Sequence, residues 1–252
     1  MRCFRNQEQA GNEMTVIGIH QPQYLPWLGF VERVYNCDVF VLLDNVPYSK
    51  NYFYNRNRIK TANGWIWLTV PVITKNRFGQ LIKDVEIKNS VDWRSDHWKS
   101  IFFAYKKSKY FECFASSLEE IYKREWQYLY EICEIMIEFI MKSFGIKTPI
   151  YRASELDVYG KKEDLLLNIC KKLNVNKYLS GIDGKNYLNL ENWKNQQIKV
   201  LFQNYKHPKY PQMFNNGFIP QMSSVDLLFN CGPESLNILK DERGEKIGLT
   251  LG

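Results

Sequence analysis

Short apolar runs and amphipathic stretches alternate at the start of the chain. Residues 15–19 and 39–43 are apolar and rich in β-branched side chains, a composition that predicts buried strands. Residues 28–35 between them carry apolar side chains at helical spacing. A strand, a helix and a strand in this order indicate a βαβ unit, and strands without polar alternation indicate a parallel sheet covered on both faces.

The rest of the chain continues this pattern around one interruption. Residues 66–72 form another strand candidate, and residues 93–144 read as helical up to a Gly145 stop signal. Further along we predict a helix at 161–173, strand segments at 178–180 and 198–202, and a final helix at 223–230. The predicted fold class is α/β, with a mostly parallel, Rossmann-like sheet flanked by helices and an inserted helical lobe at about 92–146.

Length and composition favour one compact domain. A chain of 252 residues with 45% hydrophobic residues can bury one substantial core, so we expect residues 14–252 to form a single domain. Residues 1–13 precede the first apolar run and are interpreted as an extension that need not be ordered. No apolar run reaches the roughly 18 residues of a membrane span, and the polar start lacks the apolar stretch of a secretory signal. We therefore expect a cytoplasmic protein without a membrane span.

The charge distribution and the cysteine positions limit which kinds of ligand the sequence predicts. The net charge of +7 is spread along the chain, which permits an anionic ligand but does not predict specific DNA binding, since no single element carries the charge. None of the six cysteines forms a Cys-x-x-Cys pair or stands at zinc-finger spacing from a histidine. No metal site is predicted.

The first chemical cluster is His20-Gln21-Pro22-Gln23-Tyr24-Leu25-Pro26-Trp27. Two prolines stiffen a loop that carries polar and aromatic side chains, and fixed polar groups suit the positioning and stabilisation of a substrate. His20 is predicted to be catalytic, as a general base or as a donor to phosphate. Its predicted substrate-binding neighbours are Gln21, Gln23, Tyr24 and Trp27. A structural turn whose histidine caps the strand end is the alternative.

The second cluster begins where the second strand ends. Asp44 is expected on the same sheet edge as His20, where it would orient the imidazole. The predicted catalytic residues are thus His20, Asp44 and a second histidine, His207. Arginine binds phosphate or carboxylate through two parallel hydrogen bonds, so the polar and basic segment that follows is predicted to bind an anion. Its predicted substrate-binding residues are Lys50, Asn55, Arg56 and Arg58. A solvated basic loop is the alternative.

The third cluster is divided between two loops. Ser180, Gly181, Gly184 and Lys185 follow a predicted strand, and the glycines would let backbone N–H groups approach a phosphate, although the spacing is not that of a P-loop. His207, next to Pro208, is a second candidate acid or base, and Tyr210 is predicted to bind substrate. His97, in the helical lobe beside Trp98, is interpreted as structural.

In this order, the clusters resemble the WbqC-like family. The matching segments are residues 19–29, 43–44, 55–61 with Gly64, 67–72, 178–181, 184–185, 207–212, 218–220 and 224–232. The resemblance covers nearly the whole chain, from Met14 to about Lys240. The resemblance implies a role in the biosynthesis of O-antigen and other surface polysaccharides, in which glycine or a related acyl group is attached to an amino sugar.

From this resemblance we predict an enzyme that transfers a glycyl or other acyl group to the amine of a nucleotide-linked amino sugar. Arg56, Arg58 and Lys185 would hold the phosphates, and His20 or His207 would remove a proton from the amine. The acyl donor would be an aminoacyl-tRNA or an acyl adenylate made from ATP, and no other cofactor is predicted.

Two alternatives stay open. The histidine loop, Asp44 and the later Ser-Gly loop are similar to the nucleotide-binding plan of the pantothenate synthetase and nucleotidylyltransferase group, which suggests an ATP-dependent amide ligase or a nucleotidylyltransferase-like enzyme. The sequence departs from that group in lacking its pair of histidines within four residues. The other alternative is a non-catalytic protein that binds a glycan or nucleotide in an aromatic cleft.

Overall fold

The computed structural model describes residues 15–50, 52–241 and 250–251, so the predicted extension at 1–13 lies outside the described residues. The strands in these ranges are β1 (Val16–His20), β2 (Val39–Leu42), β3 (Arg56–Thr61), β4 (Gly64–Thr69), β5 (Ile150–Arg152), β6 (Lys177–Ser180), β7 (Lys199–Phe202) and β8 (Thr250–Leu251). The helices are α1 (Leu28–Tyr35), α2 (Trp93–Tyr105), α3 (Phe111–Lys123), α4 (Leu129–Ser143), α5 (Lys162–Lys172), α6 (Leu190–Asn195), α7 (Ser224–Cys231) and α8 (Ser235–Asp241).

The main sheet confirms the predicted α/β class. Its strand order is β5-β2-β1-β6-β7-β8, and every neighbouring pair is parallel except β7 with β8. Counted along the chain, its parallel strands therefore run 3-2-1-4-5, which is the Rossmann order. β1 and β2 are almost wholly buried, as expected for parallel strands that are covered on both faces.

Helices cover the two faces of this sheet with separate cores. On one face, Ile17 and Ile19 pack in a core with Ile169 of α5 and Trp193 of α6. On the other face, α1, the helices α2 to α4 and α7 share one core with side chains of β1 and β2. The inserted helices thus pack into the same core as the sheet, whereas the single-domain organisation itself stays a prediction.

Several details of the sequence-based assignment differ from the structure. The region 93–144, predicted to be helical, is divided into three helices, and α8 follows α7 after Gly232, which adopts a φ of 54°. The basic segment at residues 55–60, interpreted as a loop, forms strand β3. It pairs antiparallel with β4, so the strand predicted at 66–72 belongs to a separate hairpin.

Side chains of β3 from Arg56 to Ile59 alternate between a partly exposed and a buried face, as expected for a strand of a hairpin. Asn57 and Ile59 face the core, whereas Arg56 and Arg58 are partly exposed on the opposite face. A strand with one solvated face reads as alternating polar and apolar residues, and here an asparagine stands at one of the buried positions. Among the described helices, none is long and apolar enough to cross a lipid bilayer.

Candidate functional site

The strand order places the topological switch point of the sheet between β1 and β6. After β1 the chain adds β2 and β5 on one side of this point, and then β6 and β7 on the other side. Parallel α/β sheets bind ligands at the carboxyl ends of the strands beside such a switch point. His20 is the last residue of β1 and Ser180 is the last residue of β6. We define the switch-point crevice by His20, Arg33, Ser180, Gly181 and Gln203.

His20 presents one ring nitrogen as an acceptor. Its Nδ1 lies 2.8 Å from the Gln21 carbonyl oxygen, so Nδ1 carries the hydrogen and donates, which leaves the Nε2 lone pair free among the described residues. Burial, and after it the Arg33 charge, lower the pKa of His20 to about 3 against the opposing effect of the hydrogen bond to Gln21. The imidazole is therefore neutral at physiological pH.

The loop after His20 is held on two sides. The Leu25 carbonyl accepts a hydrogen bond from Asn57 Nδ2 of the hairpin at 2.5 Å, and Leu25 has a left-handed φ of 47°, a conformation that costs energy for a non-glycine residue. The Pro26 carbonyl accepts from the Ser224 hydroxyl of α7 at 2.7 Å. These bonds give the loop the stiffness expected from its prolines.

Arg33 is the crevice residue that the sequence analysis missed. Its Nε donates to Gln203 Oε1 at 2.8 Å, and Gln203 Nε2 in turn donates to the Gly29 carbonyl at 2.7 Å and to Glu32. A Cβ on Gly181 would lie 2.7 Å from Arg33 Nη2 and 3.4 Å from Cζ. The absence of a side chain at Gly181 thus lets the guanidinium lie directly against the end of β6.

A sequence signal for Arg33 and Gln203 existed but was weak. Arg33 follows Phe30 by three residues, so it shares the inward-facing side of α1, where a charged residue is unusual. Gln203 stands immediately after β7, in the same relation to its strand as Gly181 to β6. Both positions become informative only once the strand order is known.

The third predicted cluster lies partly at this crevice. Ser180 is fully buried, and a side chain at Gly184 would collide with its hydroxyl, so Gly184 serves the packing of this turn. Lys185 is exposed and its Nζ lies 5.3 Å from the centre of the Phe202 ring, at the end of β7. The sheet edge therefore carries a second cation close to the crevice.

Asp44 has a different partner from the one expected. Its carboxylate accepts hydrogen bonds from the Ser154 backbone N–H at 2.9 Å and from the Ser154 hydroxyl at 2.5 Å. The predicted bond to the His20 imidazole is not formed, since His20 Nδ1 bonds to Gln21 instead. Asp44 thus joins the end of β2 to the turn after β5, a structural task.

His207 and Tyr210 are bonded within the protein. His207 Nδ1 lies 2.8 Å from the Pro208 carbonyl, and its Nε2 accepts the Gln221 N–H at 2.9 Å, so both ring nitrogens are occupied. Burial lowers the pKa of His207. Tyr210 is buried and its hydroxyl donates to Asp226 at 2.8 Å.

The predicted anion-binding residues of the second cluster lie on the hairpin. The guanidinium of Arg56 lies 4.6 Å from the centre of the Trp67 ring, and that of Arg58 lies 4.9 Å from the centre of the Trp65 ring. Arg58 also donates to the Gln221 carbonyl at 3.2 Å, which links it to His207. Asn55 is buried and bonded to Val70, whereas Lys50 is exposed.

The aromatic and amide residues of the first cluster divide between core and surface. Tyr24 is fully buried and its hydroxyl bonds to His97 Nδ1 at 2.8 Å and to the Tyr122 hydroxyl, so Tyr24 and His97 are structural. Gln23 is also buried. Trp27 is partly exposed and packs edge-on against Tyr205, with ring centres 5.1 Å apart.

The strand order and the crevice at its switch point define an α/β protein of the Rossmann-like class. The sequence model of the WbqC-like protein family matches residues 21–238. The uncharacterized protein Rv1507c of Mycobacterium tuberculosis is 32% identical over 229 residues, which cover 90% of this chain and 98% of that protein. The chain belongs to the WbqC-like protein family. No solved structure matches it at a significant level.

Proposed function

We propose that this protein is a cytoplasmic enzyme of surface polysaccharide (O-antigen) biosynthesis that transfers a glycyl or other acyl group to the amine of a nucleotide-linked amino sugar. The observation that carries this proposal is the position of His20 at the switch point, with Nδ1 fixed and Nε2 free to accept a proton. The resemblance of the whole chain to the WbqC-like family supplies the substrate class.

The proposed step needs one proton acceptor beside the amine. The amine nitrogen attacks the acyl carbonyl carbon, the new C–N bond forms, and the bond from that carbon to the donor oxygen breaks. The oxygen leaves with the electron pair, as a ribose hydroxyl of tRNA or as AMP from an acyl adenylate. The proton released by the amine goes to His20 Nε2, which passes it to the departing ribose oxygen. With an acyl adenylate, AMP leaves as the phosphate anion and the imidazolium gives its proton to solvent.

The test supplies each donor separately. The purified protein is incubated with a nucleotide-linked amino sugar and labelled glycine, either with ATP or as charged tRNA, and the sugar product is measured by mass spectrometry. We expect one donor to give the amide and His20→Gln to abolish its formation without a loss of thermal stability. His207→Gln is the matched variant, because loss of turnover there, with His20→Gln active, would transfer the role of base to His207. Failure of every donor rejects the proposal.

A second candidate is a non-catalytic protein that binds the same ligand. The pKa of about 3 favours it, since such an imidazole is a weak base until its surroundings change. This candidate predicts that the nucleotide sugar binds, that no donor yields a product, and that His20→Gln retains binding.

A further inference from the structure

Arg33 carries a positive charge into the protein interior. Burial lowers its pKa from the ordinary value, yet an arginine stays charged at neutral pH. Among the ion pairs of the described residues, none includes Arg33. Its acidic neighbour Glu32 is connected to it through the Gln203 amide.

Most of the donors of this guanidinium remain available. Arginine has five N–H groups, and only the Nε–H of Arg33 has an acceptor among the described residues, namely Gln203 Oε1. The Gln203 amide is itself fixed by the Gly29 carbonyl and Glu32. The guanidinium is therefore held in one orientation, with its two Nη groups beside Gly181 at the end of β6.

We propose that Arg33 binds a phosphate of a diphosphate-bearing ligand in the switch-point crevice, with Lys185 as the second cation. Planar guanidinium groups bind phosphate oxygens through paired hydrogen bonds, and lysine adds a point charge. A cation of α1 beside the end of β6 and a cation beside the end of β7 suit a diphosphate better than a single carboxylate. This proposal rests on the proposed function only in placing the substrate at the switch point. Binding alone tests it, without catalytic turnover.

This assignment replaces Arg56 and Arg58 as the phosphate-binding arginines. Those two side chains stack on tryptophan rings of the hairpin, which is a separate sheet. Arg33 instead stands on the helix that follows β1, beside the end of β6. Arg33 lies in the last turn of α1, and it is the contact with the end of β6 that places it at the carboxyl ends of the strands, where open α/β sheets bind ligands.

The experiment measures binding of inorganic pyrophosphate to the full chain by titration calorimetry. We expect saturable one-to-one binding that Arg33→Gln weakens by at least about tenfold, since charge-assisted hydrogen bonds to phosphate are lost. Lys185→Met should weaken binding less. Arg94→Gln, the same charge change in the helical lobe, is the matched control and should bind as the unmodified protein does.

Gly181→Ala guards against a folding defect in Arg33→Gln. Its backbone φ of −65° accommodates alanine, but the added methyl group would occupy the place of the guanidinium, so pyrophosphate affinity should fall while the charge is kept. Unchanged affinity in both variants, loss in Arg58→Gln instead, or no saturable binding at all would overturn the proposal. Binding without acyl transfer would reject the proposed function alone.

Discussion

The pKa of His20 depends on the charge of Arg33 because both side chains belong to the switch-point crevice. Burial opposes protonation of His20, and the nearby guanidinium adds a like charge. The other titratable groups that act on Arg33 are Tyr178, Cys37, Glu32 and Tyr187. An anion bound to Arg33 would cancel part of this repulsion and would make His20 a stronger base when the substrate is present.

This coupling predicts a ligand-dependent pKa. Saturating pyrophosphate should raise the pKa of His20 from about 3 by at least about 1, because the bound negative charge favours the imidazolium. An NMR titration of the histidine ring protons, assigned with His20→Gln, measures it. In Arg33→Gln the pKa without ligand should be higher and pyrophosphate should not change it. A pKa that stays constant while pyrophosphate saturates the protein would contradict the coupling.

His97 provides a second prediction at this scale, concerning stability in acid. Burial lowers the pKa of His97 to about 4, so between about pH 6.5 and about pH 4 the unfolded chain binds a proton that the folded protein does not. As the pH is lowered through this window, the free energy of unfolding should therefore decrease by about 1.4 kcal/mol per pH unit for this group.

Urea unfolding across that pH window tests the contribution of His97. Since carboxylates and the other histidines also titrate, the informative quantity is the difference in pH dependence between the unmodified protein and His97→Gln. We expect the variant to be less stable at neutral pH, because it alters the bonded set of His97, Tyr24 and Tyr122. Its stability should nevertheless fall less steeply in acid. Equal slopes would show that His97 is protonated in the folded protein.

Residue types alone predicted part of this site. A histidine after the first strand, and a Ser-Gly turn after a later one, could be placed at one sheet edge because parallel strands end together. Asp44, Tyr24 and Tyr210 carry the same kinds of polar groups, yet each is satisfied by a partner far away in sequence. Local sequence does not show which polar groups find such partners, so residues of the switch-point crevice and structural residues looked alike.

At the scale of elements, the β3–β4 hairpin supports the histidine loop. Asn57 is fully buried; its Nδ2 donates to the Leu25 carbonyl and its Oδ1 accepts the Arg58 N–H at 2.8 Å. The strand was missed because its basic residues resemble a solvated loop, and only the pairing with β4 reveals the alternation. Short β-strands are decided by pairing as much as by composition.

Asn57→Ala should therefore loosen the histidine loop. The substitution leaves two buried backbone groups without a partner, which costs about 1–3 kcal/mol, and it removes the bond that holds Leu25 in its left-handed conformation. Hydrogen exchange by mass spectrometry should show faster exchange in residues 21–27. The matched control is Asn55→Ala, whose side chain bonds within the hairpin to Val70. It should lower stability without faster exchange in the loop, and equal exchange in both variants would count against this link.

At the scale of the whole molecule, the apolar pattern predicted the sheet well and its surroundings less well. Continuous apolar runs such as those of β1 and β2 are typical of buried parallel strands, and with the amphipathic helix between them they predicted the α/β class. The place of the inserted helices did not, because an amphipathic helix shows that it has a buried face but not what covers that face. The structure shows that this cover is the same core that packs on the sheet.

Asp226 lies where these parts meet. It is fully buried and accepts hydrogen bonds from Tyr105 of α2 at 2.7 Å, from Tyr210 at 2.8 Å and from Gln212 at 2.7 Å. Burial raises the pKa of Asp226, whereas these hydrogen bonds and the charge of Lys60 on β3 oppose the rise. The Asp226 carboxylate thus connects α7 to the helical lobe and to the segment before α7 through hydrogen bonds. It interacts with the hairpin through the charge of Lys60.

Asp226→Ala tests whether these parts form one folding unit. Two buried tyrosine hydroxyls and the partly buried Gln212 amide lose their acceptor, so we expect a destabilisation of about 3 kcal/mol or more. Because lobe and sheet share one core, the unfolding curve should shift as a single transition seen equally by tryptophan fluorescence and by circular dichroism. Asp226→Asn keeps the size and one acceptor oxygen and should cost less, and the exposed Asp96→Ala should change little. A separate early transition of the helical lobe would show that residues 92–146 form an independent unit, contrary to the single-domain prediction.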